Sequence, residues 1–208
     1  MKLSANVTER IRNDIVEGVF DLGEHLSINR LAARYETSHM PIRGALRELA
    51  GDGIVIFEPN KGARVRAPDK NFIVDLMEMR ASIESVLARR AAERAVPADI
   101  KKLEEIQSRM ETALDAAEYD QALSANHTFH NTINEIAGSK DAASIVSRNW
   151  LLLATLWQKF GYDNDRFVGV VNDHRQIIAA LAAADSLAAE AIMAAHVHKS
   201  KLDLIKVM

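Results

Sequence analysis

Val7, Ile11 and Ile15 recur every fourth residue and are followed by Gly18, a spacing and a terminator that predict a first helix. Ser27 is placed to open a second, short helix reaching Tyr35, after which Glu36 and Thr37 turn the chain into a third that begins behind Ser38. Pro41 falls in the first turn of that helix, where its missing N–H has no intrahelical bond to lose. Ile42, Ala45, Leu46 and Leu49 make an apolar stripe along it, while His39, Arg43 and Arg47 step every four residues down a different face. One side packs and the other is cationic. Beyond Gly51-Asp52-Gly53 lie two extended runs, 54–57 and 63–66, joined by Glu58-Pro59-Asn60-Lys61-Gly62, which has the residues of a hairpin loop. Helix, helix, turn, helix and hairpin is the order of a winged helix-turn-helix.

Downstream the period is helical throughout. Phe72, Ile73, Leu76, Met79, Ile83, Val86 and Leu87 alternate spacings of three and four, and six helices are predicted near 70–95, 98–116, 119–137, 140–161, 165–184 and 186–206. Composition shifts at the same place: alanine rises from 7 residues in 1–69 to 25 in 70–208, while three of the four prolines and six of the nine glycines lie before residue 70. The expected organisation is a mainly α protein, with a winged helix-turn-helix carrying a small β-hairpin over 1–69 and an all-α bundle over 70–208.

The 208 residues are 48% hydrophobic and 26% charged, a balance that excludes disorder. Cysteine is absent, so there is no disulfide framework and no thiolate nucleophile, and any metal must be held by nitrogen and oxygen. A reducing cytoplasm is the expected location. Residues 1–18 carry charges where a secretory signal would be apolar, and the longest apolar run, 177–184, is far shorter than the roughly 20 residues of a membrane span. No membrane role is expected.

The net charge of -3 conceals a local excess. Residues 28–66 hold seven cations (Arg30, Arg34, Arg43, Arg47, Lys61, Arg64, Arg66) against four anions, or +3. Duplex DNA requires only one such face, since phosphate contacts supply affinity and a few side chains at the start of one helix read base edges. Arg43 and His39 are the candidates for base or phosphate contact, Ser38 can bond a phosphate at the helix start, and Lys61 with Gly62 would bring the hairpin tip beside the minor groove. The competing reading is that Arg43 and Arg47 form a solvated face with Glu48.

At this point the chain resembles a known family. The segment GEHLSINRLAARYETSHMPIRGALRELAGDGIVIFEPNKGARV is similar to the N-terminal domain of the GntR family of bacterial transcription regulators. The similarity lies in Leu31-Ala32, Ser38, Pro41, Arg43, Ala45-Leu46, Leu49, Gly53 and Gly62. It implies a DNA-binding role for Arg30, Ser38, His39, Met40, Pro41, Arg43, Arg47, Lys61 and Gly62. His39 and Met40 stand where the family often has Arg and Thr, and Gly44 replaces Glu, departures that bear on the operator sequence because histidine cannot make arginine's bidentate guanine contact.

Three histidines of the second half share faces with apolar residues: His130 with Phe129 and Ile133, His174 with Ile177, Ile178 and Leu181, and His196 with Ile192 and Met193. His127 shares its face with Asn131 and Asn134 and is expected to face water. The inward trio is either three separately satisfied core histidines or a ligand set for zinc, nickel or a similar ion. Residues 70–206 are similar to the FCD ligand-binding domain of the FadR subfamily, whose metal site has an Asp and a His four residues apart and two later histidines. By that resemblance Asn126, His130, His174 and His196 are the metal and effector residues, with Asn126 replacing the usual Asp and bringing no negative charge. Arg80 matches an arginine often near the effector pocket, to be weighed against an exposed i, i+4 pair with Glu84.

The expected function is a ligand-responsive transcription regulator, a repressor, acting as a homodimer on a palindromic double-stranded DNA operator, with a small organic acid as effector and a divalent metal (Zn or Ni) as cofactor. An enzyme is disfavoured because His-Glu-x-x-His, paired Glu-x-x-His and phosphate-cradling glycine motifs are absent. The remaining alternatives are a metal-dependent helical-bundle enzyme and a constitutive DNA-binding protein whose histidines are structural.

Overall fold

The computed structural model describes residues 2–59, 62–161 and 164–208. Lys61, assigned to the hairpin tip, lies outside the described residues. By contacts the chain forms two compact units, Met1–Pro68 with Arg148–Lys159, and Asp69–Ser147 with Phe160–Met208.

In the first unit, α1 (Lys2–Val16), α2 (Ile28–Arg34) and α3 (His39–Gly51) surround a core of Ile11, Ile15, Leu31, Ile42, Leu46 and Leu49. These are the positions of the apolar period. Gly18 is left-handed behind α1, and Glu36, at φ 52°, makes the turn between α2 and α3. Ser27 and Ser38 occupy the N-cap positions of α2 and α3 with extended backbone, but neither side chain makes the cap bond. Two polar contacts tie α1 to α3: Thr8 Oγ1 donates to Glu48 Oε2 at 3.0 Å, and Arg12 Nη2 to Asp52 Oδ2 at 2.8 Å.

The wing has β2 (Val55–Glu58) antiparallel to β3 (Gly62–Val65), pairing Val55 with Val65 and Glu58 with Gly62. A strand that the alternation did not foretell, β1 (His25–Leu26), adds to the other edge of β3, giving the order β1-β3-β2. Two residues are too short to show a period. Gly62 has φ 80°, and a Cβ there would stand 3.2 Å from His25 Nε2, so the tip of the wing has a conformational and a steric reason for glycine.

The second unit contains α4 (Lys70–Ala92), α5 (Pro97–Asp115), α6 (Tyr119–Ala137), α7 (Lys140–Ser147), α9 (Asn164–Ala182) and α10 (Ser186–Val207). Helix α4 packs along α10 and α6, and α5 along α6 and α9. Asp69 caps α4 through the Phe72 N–H, and Asp185 caps α10 through the Ala188 N–H.

The single helix expected over 140–161 is in fact two. Asn149 takes φ 62°, ending α7 and leading into α8 (Trp150–Phe160), which groups with the first unit. The Asn149 N–H donates to the carbonyl of Asp52 at 2.9 Å, and Leu151 packs on the winged-helix core. A side chain at Gly53 would overlap Asn149 Oδ1. No helix of the described residues is long and apolar enough to cross a membrane.

Candidate nucleic-acid interface and metal centre

Helix α3 buries Ile42, Ala45, Leu46 and Leu49, which forces the intervening positions outward. Ser38, His39, Met40, Arg43 and Arg47 are exposed, with Met40 at 76%, and Pro41 is half-buried beside them. Most cations of this unit are already engaged. Arg30 pairs with Glu24 and lies 5.3 Å from the Phe20 ring centroid, Arg34 bonds Asp14 at 2.8 Å, Arg64 bonds the Gly23 carbonyl, and Arg66 donates to the Gly53 carbonyl at 2.7 Å. Arg43 and Arg47 make no ion pair among the described residues, and Glu48, their supposed partner, accepts from Thr8 instead. Arg43, Arg47 and Glu48 are all exposed, which is compatible with a solvated face as well as with a DNA-facing one.

In the helical unit the three inward histidines come together. His130 of α6, His174 of α9 and His196 of α10 are buried, and one potential ligand nitrogen from each lies within 4.8 Å of the others. Each Nδ1 faces an acceptor: His130 faces Glu84 Oε2 at 2.7 Å, His174 faces Gln107 Oε1 at 2.9 Å, and His196 faces Asp173 Oδ2 at 3.4 Å. Those oxygens accept, so each ring carries a proton on Nδ1 and turns Nε2 toward the other rings. His130 Nε2 and His196 Nε2 are 3.3 Å apart, and buried His174 Nε2 has no hydrogen-bond partner. A proton on one of these two nitrogens or a metal ion bound by both satisfies that contact. Nitrogens about 2.0–2.1 Å from one tetrahedral ion stand roughly 3.3–3.4 Å apart, the spacing of the His130–His196 pair, and three imidazole nitrogens are a donor type that suits zinc or a similar ion.

Two family profiles match the chain. The profile described as "Bacterial regulatory proteins, gntR family" matches residues 3–65, and that described as "FCD domain" matches residues 75–199, more than half of the chain. The chain belongs to the GntR family. It is therefore a DNA-binding transcriptional regulator with an FCD domain, not an enzyme. It is 25% identical over 193 residues to the HTH-type transcriptional repressor RspR of Escherichia coli (91% of this chain, 83% of that protein). It is 28% identical over 195 residues to the repressor GlaR of the same organism (89% and 88%). The solved structure of E. coli McbR/YncC has the same fold, with a TM-score of 0.83 at 18% identity over 99% of this chain and 98% of that one.

FCD domains bind metals in some members of the GntR family, and burial works against the charged form of His174 and His196 in this cluster. Burial pushes His174 well below the usual histidine range, and His196 and His130 add to that. Burial also lowers His196, opposed by its bond to Asp173. For Glu84, burial alone would raise the pKa, but Arg80 and His130 override it and bring it to about 2. Burial likewise works against the charge on Asp173, which the His196 bond and Lys199 Nζ at 2.7 Å hold below its ordinary value.

Arg80 is neither an exposed partner of Glu84 nor a free clamp. At 8% exposure it forms an ion pair with Glu84 Oε1 at 2.7 Å and donates to the Val146 carbonyl at 3.1 Å. Asn126 is half-buried on α6, one turn before His130. The expectation that His127 faces water is corrected: it is half-buried, its Nε2 is 3.0 Å from Asn131 Nδ2, and burial, reinforced by His130 and Arg80, lowers its pKa to about 4. Periodicity missed Glu84, Gln107 and Asp173, the three residues that orient the rings.

Proposed function

We propose that this regulator is a repressor that acts as a homodimer on a palindromic operator in the cytoplasm and responds to a small carboxylic acid bound at a metal in its FCD domain. The convergence of three imidazoles, each fixed by an acceptor on its own Nδ1, carries the reading. His130, His174 and His196 would hold zinc or nickel, with the Asn126 side-chain oxygen as a neutral fourth ligand. When bound, the ion supplies a positive charge for an anionic ligand. Because the imidazoles and the amide are neutral, none of these ligands offsets the ion's charge, which favours a carboxylate over a neutral metabolite. Arg80 supports the site by neutralising Glu84, and its reach toward the effector is part of the proposal.

On the DNA side, the exposed row of Ser38, His39, Met40, Arg43 and Arg47 supports insertion of α3 into the major groove, with Pro41 shaping its start and Arg30 and Gly62 as further contacts, and Lys61, outside the described residues, is proposed from the sequence alone. A two-fold dimer would place two such helices about 34 Å apart on successive grooves, which is why a palindromic site is expected. The acid can alter repression only by binding one arrangement of the DNA heads better than the other.

Metal analysis of the purified protein, with thermal-shift screening of small carboxylates, tests the reading. One equivalent of bound metal, stabilisation by an acid in wild type and loss of both in His174→Ala are expected, while operator binding by the uninduced variant persists. An acid response that survives in the metal-free His174→Ala protein would remove the metal from the account.

A further inference from the structure

Buried Gln107 on α5 lies between two partners that make opposite demands on its amide. Its Oε1 is 2.9 Å from His174 Nδ1, and its Nε2 donates to Glu111 Oε1 at 2.8 Å. A carboxylate only accepts, so the NH2 end must face Glu111 and the oxygen must face the histidine. That oxygen in turn requires the ring proton on Nδ1. With the amide reversed, its NH2 would meet Nδ1, and the ring proton would move to Nε2, where it blocks ligation. His130 and His196 have no such dependence, because each faces a carboxylate whose two oxygens are equivalent acceptors. Glu111 is itself held by Arg175 through a two-pronged bond, Nε at 2.9 Å and Nη2 at 2.7 Å. Phe129, with its ring centroid 3.9 Å from that of His174 and planes 10° apart, fixes the plane of the imidazole.

We propose that the partly exposed Arg175–Glu111 ion pair is a positioning device for the metal centre: it sets the orientation of the Gln107 amide and, through it, the tautomer that presents His174 Nε2 as a ligand. This rests on the reading of the three histidines as a ligand set. It makes a surface ion pair, which touches none of the three histidines, a determinant of metal affinity.

The test is Glu111→Ala, which frees the amide to turn. Long-range 1H–15N correlation spectra of the metal-free full-length protein report the His174 tautomer, and chelator competition reports zinc affinity. Wild type should show proton on Nδ1, and Glu111→Ala should show a mixture or the Nε2–H form, with zinc affinity lowered about 10- to 100-fold. Adding Gln107→Glu should restore both, since a carboxylate at 107 accepts from Nδ1 in either orientation. An unchanged tautomer in Glu111→Ala overturns the proposal, and so does a loss of affinity that Gln107→Glu fails to restore. Should Glu111→Ala not fold, Arg175→Ala carries the test, with a smaller shift in the same direction expected and none overturning it. Failure of wild type to take up zinc would instead sink the metal reading, and the tautomer comparison would still decide the relay.

Discussion

Glu84 offers the most direct test of how the helical unit sustains its polar interior. Its carboxylate is 1% exposed and touches Arg80 Nη2 and His130 Nδ1, each at 2.7 Å. Burial would raise its pKa, but the two partners reverse that and hold it at about 2 against an ordinary 4.5. A folded-state value below the unfolded one means stabilisation that is complete above the unfolded pKa and is lost as pH falls toward the folded one. The interval corresponds to about 3 kcal/mol at pH 7, in line with the roughly 3–5 kcal/mol lost when one member of a buried ion pair is removed. Glu84→Gln has no carboxyl to titrate there and leaves the Arg80 guanidinium uncompensated. In urea denaturation of metal-free protein followed by far-ultraviolet circular dichroism, wild type should exceed the variant by about 3 kcal/mol at pH 7 and by less than half of that at pH 3. Because His130 Nδ1 lies 2.7 Å from Glu84 Oε2, the difference between the two proteins reports the Arg80–Glu84–His130 cluster as a unit. A gap of equal size at both pH values would refute the assignment of this stability to the ionised carboxylate.

Two further outcomes concern the first unit. Arg43→Ala should abolish specific operator binding with the fold intact; if each subunit neutralises roughly four phosphates, the wild-type dimer should show a slope of log K against log salt near about -7. Undiminished affinity of the variant in a gel-shift titration would remove Arg43 from the interface. Gly62→Val should cost about 1–2 kcal/mol, because position 62 is left-handed and close to His25, and a thermal melt matching wild type would show that the wing tolerates a side chain there.

The parts of this protein legible in its sequence are those written as a period. Ile42, Ala45, Leu46 and Leu49 are buried and Arg43 and Arg47 exposed because a helix has only one inward side, and the same rule brought His130, His174 and His196 indoors. Their acceptors were less visible. Gln107 sits on the buried stripe of α5 between Leu103, Ile106 and Met110, and Glu84 on that of α4 with Leu87 and Ala88. A polar residue on an apolar stripe signals a buried partner, but spacing within one helix does not say which helix supplies it. His127 illustrates the converse: its asparagine neighbours suggested solvent, yet Asn131 bonds it locally while the field of Arg80 and His130 reaches it from within the unit.

Helix α8 follows the same logic one step further. A continuous helix over 140–161 needs a single apolar stripe facing a single neighbour, and the residues do not supply one. Before the break, α7 buries only Val146, and Ile145 is exposed. After it, Leu152, Leu153, Ala154, Thr155, Leu156 and Trp157 are buried in succession, which spans every direction around the axis. A helix apolar all round must be enclosed on all sides, whereas an amphipathic helix must keep one face in water, so the two segments cannot share one environment. The chain changes direction at Asn149, a residue type whose short amide tolerates the left-handed backbone, and the freed N–H is taken up by the Asp52 carbonyl directly behind α3. The change from one-sided to all-round hydrophobicity at Trp150 was the available signal, and it places this stretch with the winged-helix core although its neighbours in sequence belong to the bundle.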